Sequence, residues 1–261
     1  MELDGLVLRN GDELTASGRL VRNQAGDWFE PPLPVAAVGG RPRGIRPVWR
    51  GAVRVCGADF TTLTGRIEEG GVVAGRAELT GIWSAGEIQV QRQASPERRH
   101  RGSPRWVVPP CPPPAGGWPR HEDPNPYFDL GDLRETGAAV AARIFRPGPD
   151  QAVLVVAAAD PDAVEGRLRP QLGKRLCVVI SRWTPAELEA VRSHLAARHA
   201  AWHLLRLGLE TNDEGQGCIT ASLSRVLPEI ALWGSSLPAG VLSLDPWLRP
   251  AGSSTGASSS K

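Results

Sequence analysis

Among the residues that could take part in chemistry, His199 and His203 have the spacing of a metal-ligand pair, since they lie four positions apart on a predicted helix. Two histidines with this spacing can share one metal ion on a helix face. Zinc hydrolases that use the pattern also need a glutamate directly after the first histidine as general base, and Ala200 occupies that position here. A third ligand is not evident either. The pair is therefore interpreted as polar residues on a solvated face, and no metal or other cofactor is predicted.

Asp160, Ser181 and Arg182 are the candidates for a site in the second half of the chain. Asp160 follows the apolar run 152–158, whereas Ser181 and Arg182 lie at the end of the run that begins at Leu176. Ligands of open α/β sheets bind beyond the carboxyl ends of the strands, so these positions predict a binding site. Asp160 is equally explained as a helix N-cap, and Ser181 lacks the flanking glycines that expose a catalytic serine. No catalytic residue is predicted.

Two arginine clusters with nearby tryptophans are the strongest electrostatic features of the sequence. Arginine beside aromatic rings is a common way to hold single-stranded nucleic acid, through phosphate neutralisation and base stacking. The alternative interpretation is a pair of solvated loops in an arginine-biased sequence, in which only two residues are lysines. The first cluster contains Arg41, Arg43, Arg46, Trp49, Arg50 and Arg54, and the second contains Arg98, Arg99, Arg101, Arg105 and Trp106.

Bulk composition narrows the classes of partner. The net charge is only +2, and basic and acidic residues balance within the first 93 positions, which disfavours a dedicated polyanion binder. No apolar stretch approaches the length of a membrane helix, and the acidic start Met1–Asp4 is unlike a secretory signal. The sequence therefore predicts a protein partner, self-association or nucleic acid, and no membrane.

The four cysteines, Cys56, Cys111, Cys177 and Cys218, are widely separated along the chain. Disulfide frameworks and zinc sites usually show short cysteine spacings, so the pattern predicts four free thiols in a reducing compartment. Together with the absence of a signal sequence, this predicts a cytoplasmic location.

Proline and serine content predicts the domain boundaries. A proline-rich linker over 94–135 is expected to be extended and unpacked, because it contains the run Pro-Pro-Cys-Pro-Pro-Pro at 109–114. It would separate a domain over 1–93 from a domain over 136–250. The Ser/Gly/Ala-rich residues 251–261 predict a disordered tail.

The first domain is expected to be a small β-barrel similar in element order to an oligonucleotide/oligosaccharide-binding (OB) barrel. Short alternating segments predict three strands, one helical turn and two further strands, the last two joined by a hairpin at 84–86. The strands are predicted over 14–22, 27–30, 52–56, 72–83 and 87–92, and the helical turn over 58–63.

The second domain is expected to be a ferredoxin-like α/β sandwich. Two apolar strands each precede a helix that opens with a cap and a proline, Asp160-Pro161 and Thr184-Pro185, which favours adjacent parallel strands. The second helix is expected to continue to Trp202. From Leu176 the order strand–helix–strand–strand–helix–strand is that of the split βαβ motif.

Three functions remain open at this point. The leading hypothesis is a non-catalytic binding or assembly protein, since no nucleophile, base and oxyanion donor are recognisable together. The second is a single-stranded nucleic-acid-binding protein that uses the arginine and tryptophan clusters. The third is an enzyme of unrecognised class at the strand ends of the second domain.

Overall fold

The computed structural model describes residues 3–32, 48–49, 51–96, 106–120 and 128–253. Within these ranges the protein is a mixed α/β structure with twelve strands and four α-helices. None of the described helices is both long and apolar enough to cross a membrane. The strands form one six-stranded sheet in the first part of the chain and two three-stranded sheets in the second.

The first sheet contains β1 (Glu13–Asn23), β2 (Gly26–Glu30), β3 (Val53–Cys56), β4 (Thr64–Glu69), β5 (Val72–Ser84) and β6 (Glu87–Ala94). Neighbours pair in the order β1-β2-β3-β6-β5-β4, and β1 also pairs with β5. The pairings therefore lead from β1 through β2, β3, β6 and β5 back to β1, while β4 lies outside this path as a partner of β5. The β3–β6 pair is parallel and the others are antiparallel.

Alternating side chains explain why these segments become strands with one buried face. Leu14 and Leu20 of β1 are fully buried, as are Leu79 of β5 and Ile88 of β6. Gly26 takes a positive φ in the turn between β1 and β2, which a residue without a Cβ adopts at little cost. All five predicted strands of this region and the hairpin turn at 84–86 are confirmed.

Two details of this region differ from the sequence prediction. Residues 58–63 form bends and no helical turn, because the Asp59 carboxylate accepts hydrogen bonds from the N–H and hydroxyl of Thr61 and fixes a local turn. Phe60 and Leu63 are both buried, and their three-residue spacing imitates a helix. Strand β4 was not predicted because its only large apolar side chain, Ile67, is exposed.

The second part contains α1 (Gly131–Glu135), β7 (Ala139–Phe145), β8 (Val153–Ala158), α2 (Pro161–Leu172), β9 (Leu176–Ile180), α3 (Pro185–Ala197), β10 (Leu204–Thr211), β11 (Gly217–Arg225), α4 (Pro228–Ser236) and β12 (Leu242–Leu248). Its sheets have the orders β7-β8-β9 and β10-β11-β12. In each sheet the first pair is antiparallel and the second is parallel, with one helix between the parallel strands. The second part is therefore two ββαβ units in series.

The ferredoxin-like prediction is wrong in its strand pairing. That topology would place β9 beside β11, but among the described residues β9 pairs with β8, and β11 pairs with β10 and β12. The physical reason lies in β8, whose six residues are all buried and which therefore takes the central position between β7 and β9. The predicted parallel pairing of the two apolar strands is confirmed, with Leu154 opposite Leu176.

Contacts join the two parts of the chain at both termini of the fold. A short 3-10 helix, Leu3–Leu6, packs into the same core as Ile230 of α4. In return, Trp247 and Leu248 at the end of β12 pack into the core of the first sheet, and the Trp247 indole N–H donates to the carbonyl of Ser17 at 2.9 Å. The domain limits at residues 93 and 136 stay a prediction.

Candidate functional site

The predicted strand-end residues lie side by side, because β8 and β9 run parallel and end in register. Each already has a local partner. Asp160 is the N-cap of α2 and accepts a backbone N–H of the first turn at 3.0 Å. The Ser181 hydroxyl donates to the carbonyl of Trp183 at 2.7 Å, and the exposed Arg182 pairs with Glu214 at 3.2 Å. These contacts account for all three residue types without a ligand.

Gln216 organises the same end of the sheet, and sequence reasoning missed it. Its buried side-chain carbonyl accepts the N–H of Arg182 at 2.8 Å, and its amide donates to the carbonyl of Ile180 at 3.2 Å. Arg169 from α2 donates to the carbonyl of Leu176 at the other end of β9. Side chains thus occupy two outward carbonyls of this edge strand, which protects it from pairing with another chain.

His199 and His203 do not share a helix face. The prediction that the helix continues to Trp202 is wrong, since α3 ends before His199, and His203 has a left-handed φ of 51°. His194 instead stacks on Trp233 with ring centroids 4.3 Å apart, and burial together with the charge of Arg198 lowers its pKa. Within the described ranges no three His, Cys, Asp or Glu side chains are arranged to hold a metal ion.

A row of three side chains crosses the outer face of the first sheet. Trp28 of β2 is paired with Arg54 of β3, which is paired with Glu87 of β6. Their sequence neighbours Phe29 and Val53 are in the core, so the row lies on the opposite face. The Arg54 guanidinium lies over the Trp28 ring at 4.6 Å from the centroid, a cation–π contact. We call Trp28, Arg54 and Glu87 the outer row.

Trp49 lies close to this region and is anchored by a buried charge. The backbone N–H of Trp49 donates to the carboxylate of Glu30 at 2.6 Å, and the same carboxylate pairs with Arg19 at 2.8 Å. The Trp49 ring lies over Gly51, where a Cβ would come within 1.8 Å of it, so any other residue there would require the ring to shift. The other predicted members of this cluster, Arg41, Arg43, Arg46 and Arg50, lie outside the described residues, as do Arg98, Arg99, Arg101 and Arg105.

The prediction of four free thiols is wrong for two of them. Cys111 and Cys177 form a disulfide across 66 residues of sequence, while Cys56 and Cys218 are free. Short cysteine spacings are what identify disulfides from sequence, so a pair this far apart is not detected in that way. The disulfide therefore removes the support that four free thiols would give to a reducing, cytoplasmic compartment.

The segment that carries Cys111 is packed, contrary to the expectation of an extended linker. We call residues 106–120 the strap. Val107 donates its N–H to the carbonyl of Arg146 at 2.9 Å, and Gln151 donates to the carbonyl of Trp118 at 2.8 Å. Apolar side chains of the strap cover one face of the first three-stranded sheet, a contact that joins Val107, Cys111 and Trp118 to Phe145, Val153, Val155, Cys177 and Val179.

An open groove of about 490 Å³ runs between the strap and α2. Its floor includes the disulfide, and its walls combine apolar and charged side chains. Arg169 pairs with Glu165 at 2.7 Å, and Lys174 donates to the strap carbonyl of Ala115 at 3.4 Å. The groove is lined by Cys111, Pro112, Trp118, Arg169, Lys174 and Cys177, among others.

The fold and these sites define a mixed α/β protein with a six-stranded, mostly antiparallel sheet and two ββαβ units. Comparison of the chain with known protein families, with curated proteins and with solved structures finds no match. Its function must therefore be argued from its own residues.

Proposed function

We propose that this protein is a non-catalytic binding protein whose first part is an OB-like barrel. The observation that carries the proposal is the pairing path β1-β2-β3-β6-β5 and back to β1, with one parallel pair between β3 and β6. This is the five-stranded connectivity of the OB barrel, with β4 as an added hairpin strand. In OB barrels the outer face of the second and third strands is the usual ligand surface. In this chain the outer row lies on β2 and β3.

A non-catalytic role is supported by the local bonding of the strand-end residues. A nucleophile needs a free hydroxyl next to a base, whereas the Ser181 hydroxyl already donates to the main chain and Asp160 serves as a helix cap. None of the residues Asp160, Ser181 and Arg182 lines the groove beside the strap. Turnover of any substrate that disappears in both Asp160→Asn and Ser181→Ala, but not in Ser193→Ala, would contradict the proposal.

Single-stranded nucleic acid is the second candidate, as the ligand of the outer row. The specific observation in its favour is the Arg54 guanidinium over the Trp28 ring, a pairing of phosphate-binding charge with a stacking surface. The arginines at 41, 43, 46 and 50 belong, in sequence, to the segment that connects β2 to β3. Against it stands the nearly balanced charge of the chain, which makes the expected binding weak and strongly salt-dependent.

Fluorescence anisotropy with a labelled oligo-dT or oligo-U strand tests this candidate on the full chain. At low salt we expect binding that weakens steeply as salt is added, that is lost in the Arg41/Arg43/Arg46 triple alanine variant and that is reduced in Arg54→Ala. Arg76→Ala is the matched control, because Arg76 is an exposed arginine on β5, which is not a neighbour of β2 or β3. No anisotropy change at low salt would remove nucleic acid.

If nucleic acid does not bind, the remaining candidates for the ligand of the outer row are another protein and a second copy of this chain. Sedimentation velocity over a range of concentrations measures self-association, and affinity capture compares the partners of the wild type with those of Arg54→Glu. A partner or dimer that is lost in Arg54→Glu and kept in Arg76→Glu supports the outer row as the binding surface. Identical behaviour of both variants would place binding elsewhere and contradict it.

A further inference from the structure

The disulfide is accessible from one side only. Both cysteines line the open groove, but Cys111 is half-buried, whereas Cys177 is only 1% exposed and belongs to the sheet core. A thiolate that enters the groove therefore meets the sulfur of Cys111 first. The groove also holds two cations, Arg169 and Lys174, against one carboxylate, Glu165, and a positive surrounding favours the thiolate form of a cysteine.

Besides this bond and its apolar packing, the strap is held by a small set of polar contacts, which are the hydrogen bonds Val107 to Arg146, Gln151 to Trp118 and Lys174 to Ala115 and the bridge between Arg120 and Gln151. Trp106 and Val108 remain 43% and 72% exposed, and Pro112 and Pro113 are also exposed. Its proline-rich backbone offers few N–H donors, so it cannot add to the sheet as a strand. What it covers is apolar: Phe145, Val153 and Val155 are completely buried beside it. The disulfide thus joins a weakly bonded cover to a well-packed sheet.

We propose that Cys111–Cys177 is a thiol–disulfide exchange site whose reduction releases the strap from the β7-β8-β9 sheet while the remaining fold stays intact. The reductant is a dithiol, of the small-molecule or protein class. Its first thiolate attacks Cys111 Sγ, and the Cys177 sulfur leaves as a thiolate. The second thiol then attacks the mixed disulfide and releases Cys111. The dithiol becomes a disulfide, two electrons pass to the protein, and two protons end on Cys111 and Cys177.

The two free cysteines provide internal controls for this step. Cys56 is exposed on β3, so an alkylating reagent modifies it in the folded protein regardless of the redox state. Cys218 is buried in β11, and burial raises the pKa of its thiol to about 11, so it reacts only when the fold opens. Modification of Cys218 therefore reports global unfolding, and modification of Cys177 reports release of the strap.

The experiment treats the full-length native protein with dithiothreitol, removes the reductant, alkylates with N-ethylmaleimide and maps the labelled cysteines by mass spectrometry. Without reductant we expect label on Cys56 alone. After reduction we expect label on Cys56, Cys111 and Cys177, with Cys218 unlabelled. Hydrogen exchange of the Val107 amide, which donates to Arg146 in the closed strap, is expected to rise to the rate of an unprotected amide.

Three results would overturn the proposal. The disulfide could survive the native treatment, Cys177 could stay unlabelled although Cys111 is labelled, or Cys218 could become labelled together with Cys177. The first denies an exchange site, the second denies release, and the third makes the disulfide a staple of the whole fold. Cys111→Ser gives an independent reading without reductant: Cys177 is labelled if the strap opens, and Cys56→Ser, the matched control, leaves the disulfide in place.

Discussion

The Cys111–Cys177 disulfide closes a covalent loop over 66 residues, and its removal tests how much this constraint stabilises the protein. A cross-link lowers the entropy of the unfolded chain by an amount that grows with loop length. For a loop of this size the chain-entropy relation corresponds to about 4 kcal/mol of the free energy of unfolding at 25 °C. Cys111→Ala removes the bond from the half-buried strap and leaves Cys177 as a small apolar side chain within the sheet.

Urea unfolding followed by tryptophan fluorescence measures the loss. We expect Cys111→Ala to lower the free energy of unfolding by about 4 kcal/mol, which is large but less than the total of about 5–15 kcal/mol for an ordinary domain. The variant therefore still folds. Its dependence on urea should steepen, because an unfolded chain without the cross-link exposes more surface. Cys56→Ala, at an exposed free thiol, is the matched control and should leave the curve unchanged.

Reduced wild type provides the second comparison. If the cross-link alone is responsible, reduced wild type and Cys111→Ala unfold at nearly the same urea concentration, both below oxidised wild type. A difference of less than about 1 kcal/mol between oxidised wild type and Cys111→Ala would refute the entropic reasoning, since it would leave most of the calculated term missing.

Three further substitutions, the first of them with a matched control, have expected outcomes. Arg19→Ala removes one charged partner of the fully buried Glu30 carboxylate and should lower the free energy of unfolding by about 2 kcal/mol in thermal unfolding. Arg192→Ala breaks only an exposed pair and should cost under about 0.5 kcal/mol; equal effects would contradict the role of burial. Thr184→Ala removes the side-chain half of the α3 capping box, the acceptor of the Glu187 N–H, and should lower the free energy of unfolding by about 1 kcal/mol; an unchanged melting temperature would contradict this. Burial and the charge of Arg225 lower the pKa of His203 in the folded protein. As the pH drops, the unfolded chain therefore binds a proton at this residue before the folded protein does. The free energy of unfolding should then fall below about pH 6.5. His203→Asn, which tolerates the left-handed φ, should flatten melting temperature against pH there, and an unaltered slope would contradict this.

Local elements of this protein were predictable because they depend on neighbouring residues. The cap at Asp160 and the capping box at Thr184 are confirmed, as are the five strands predicted in the first part. The prediction of a helical turn was wrong because the buried Phe60 and Leu63 have a helix-like spacing. Strand β4 was missed because its sequence has no alternating apolar pattern. The Asp59 side chain decided the first conformation, and pairing with β5 decided the second.

The candidate sites show the same division. Asp160, Ser181 and Arg182 were placed at the carboxyl ends of adjacent parallel strands, and they lie there. The hydrogen bonds that Gln216 makes to that strand end, from a turn more than thirty residues later, left no mark on the local pattern. The pairing of Trp28 with Arg54 likewise joins residues 26 positions apart through β2 and β3.

By itself, the sequence determined the turns, caps and alternating faces of this chain, because these follow from side-chain types a few positions apart. The tertiary structure alone decided that β12 pairs with β11, that Cys111 reaches Cys177 and that Trp247 returns to the first sheet. Each of these contacts brings together segments whose separation along the chain carries no local signal. They form because burial of apolar surface selects among the available edges and faces only once the whole chain has collapsed.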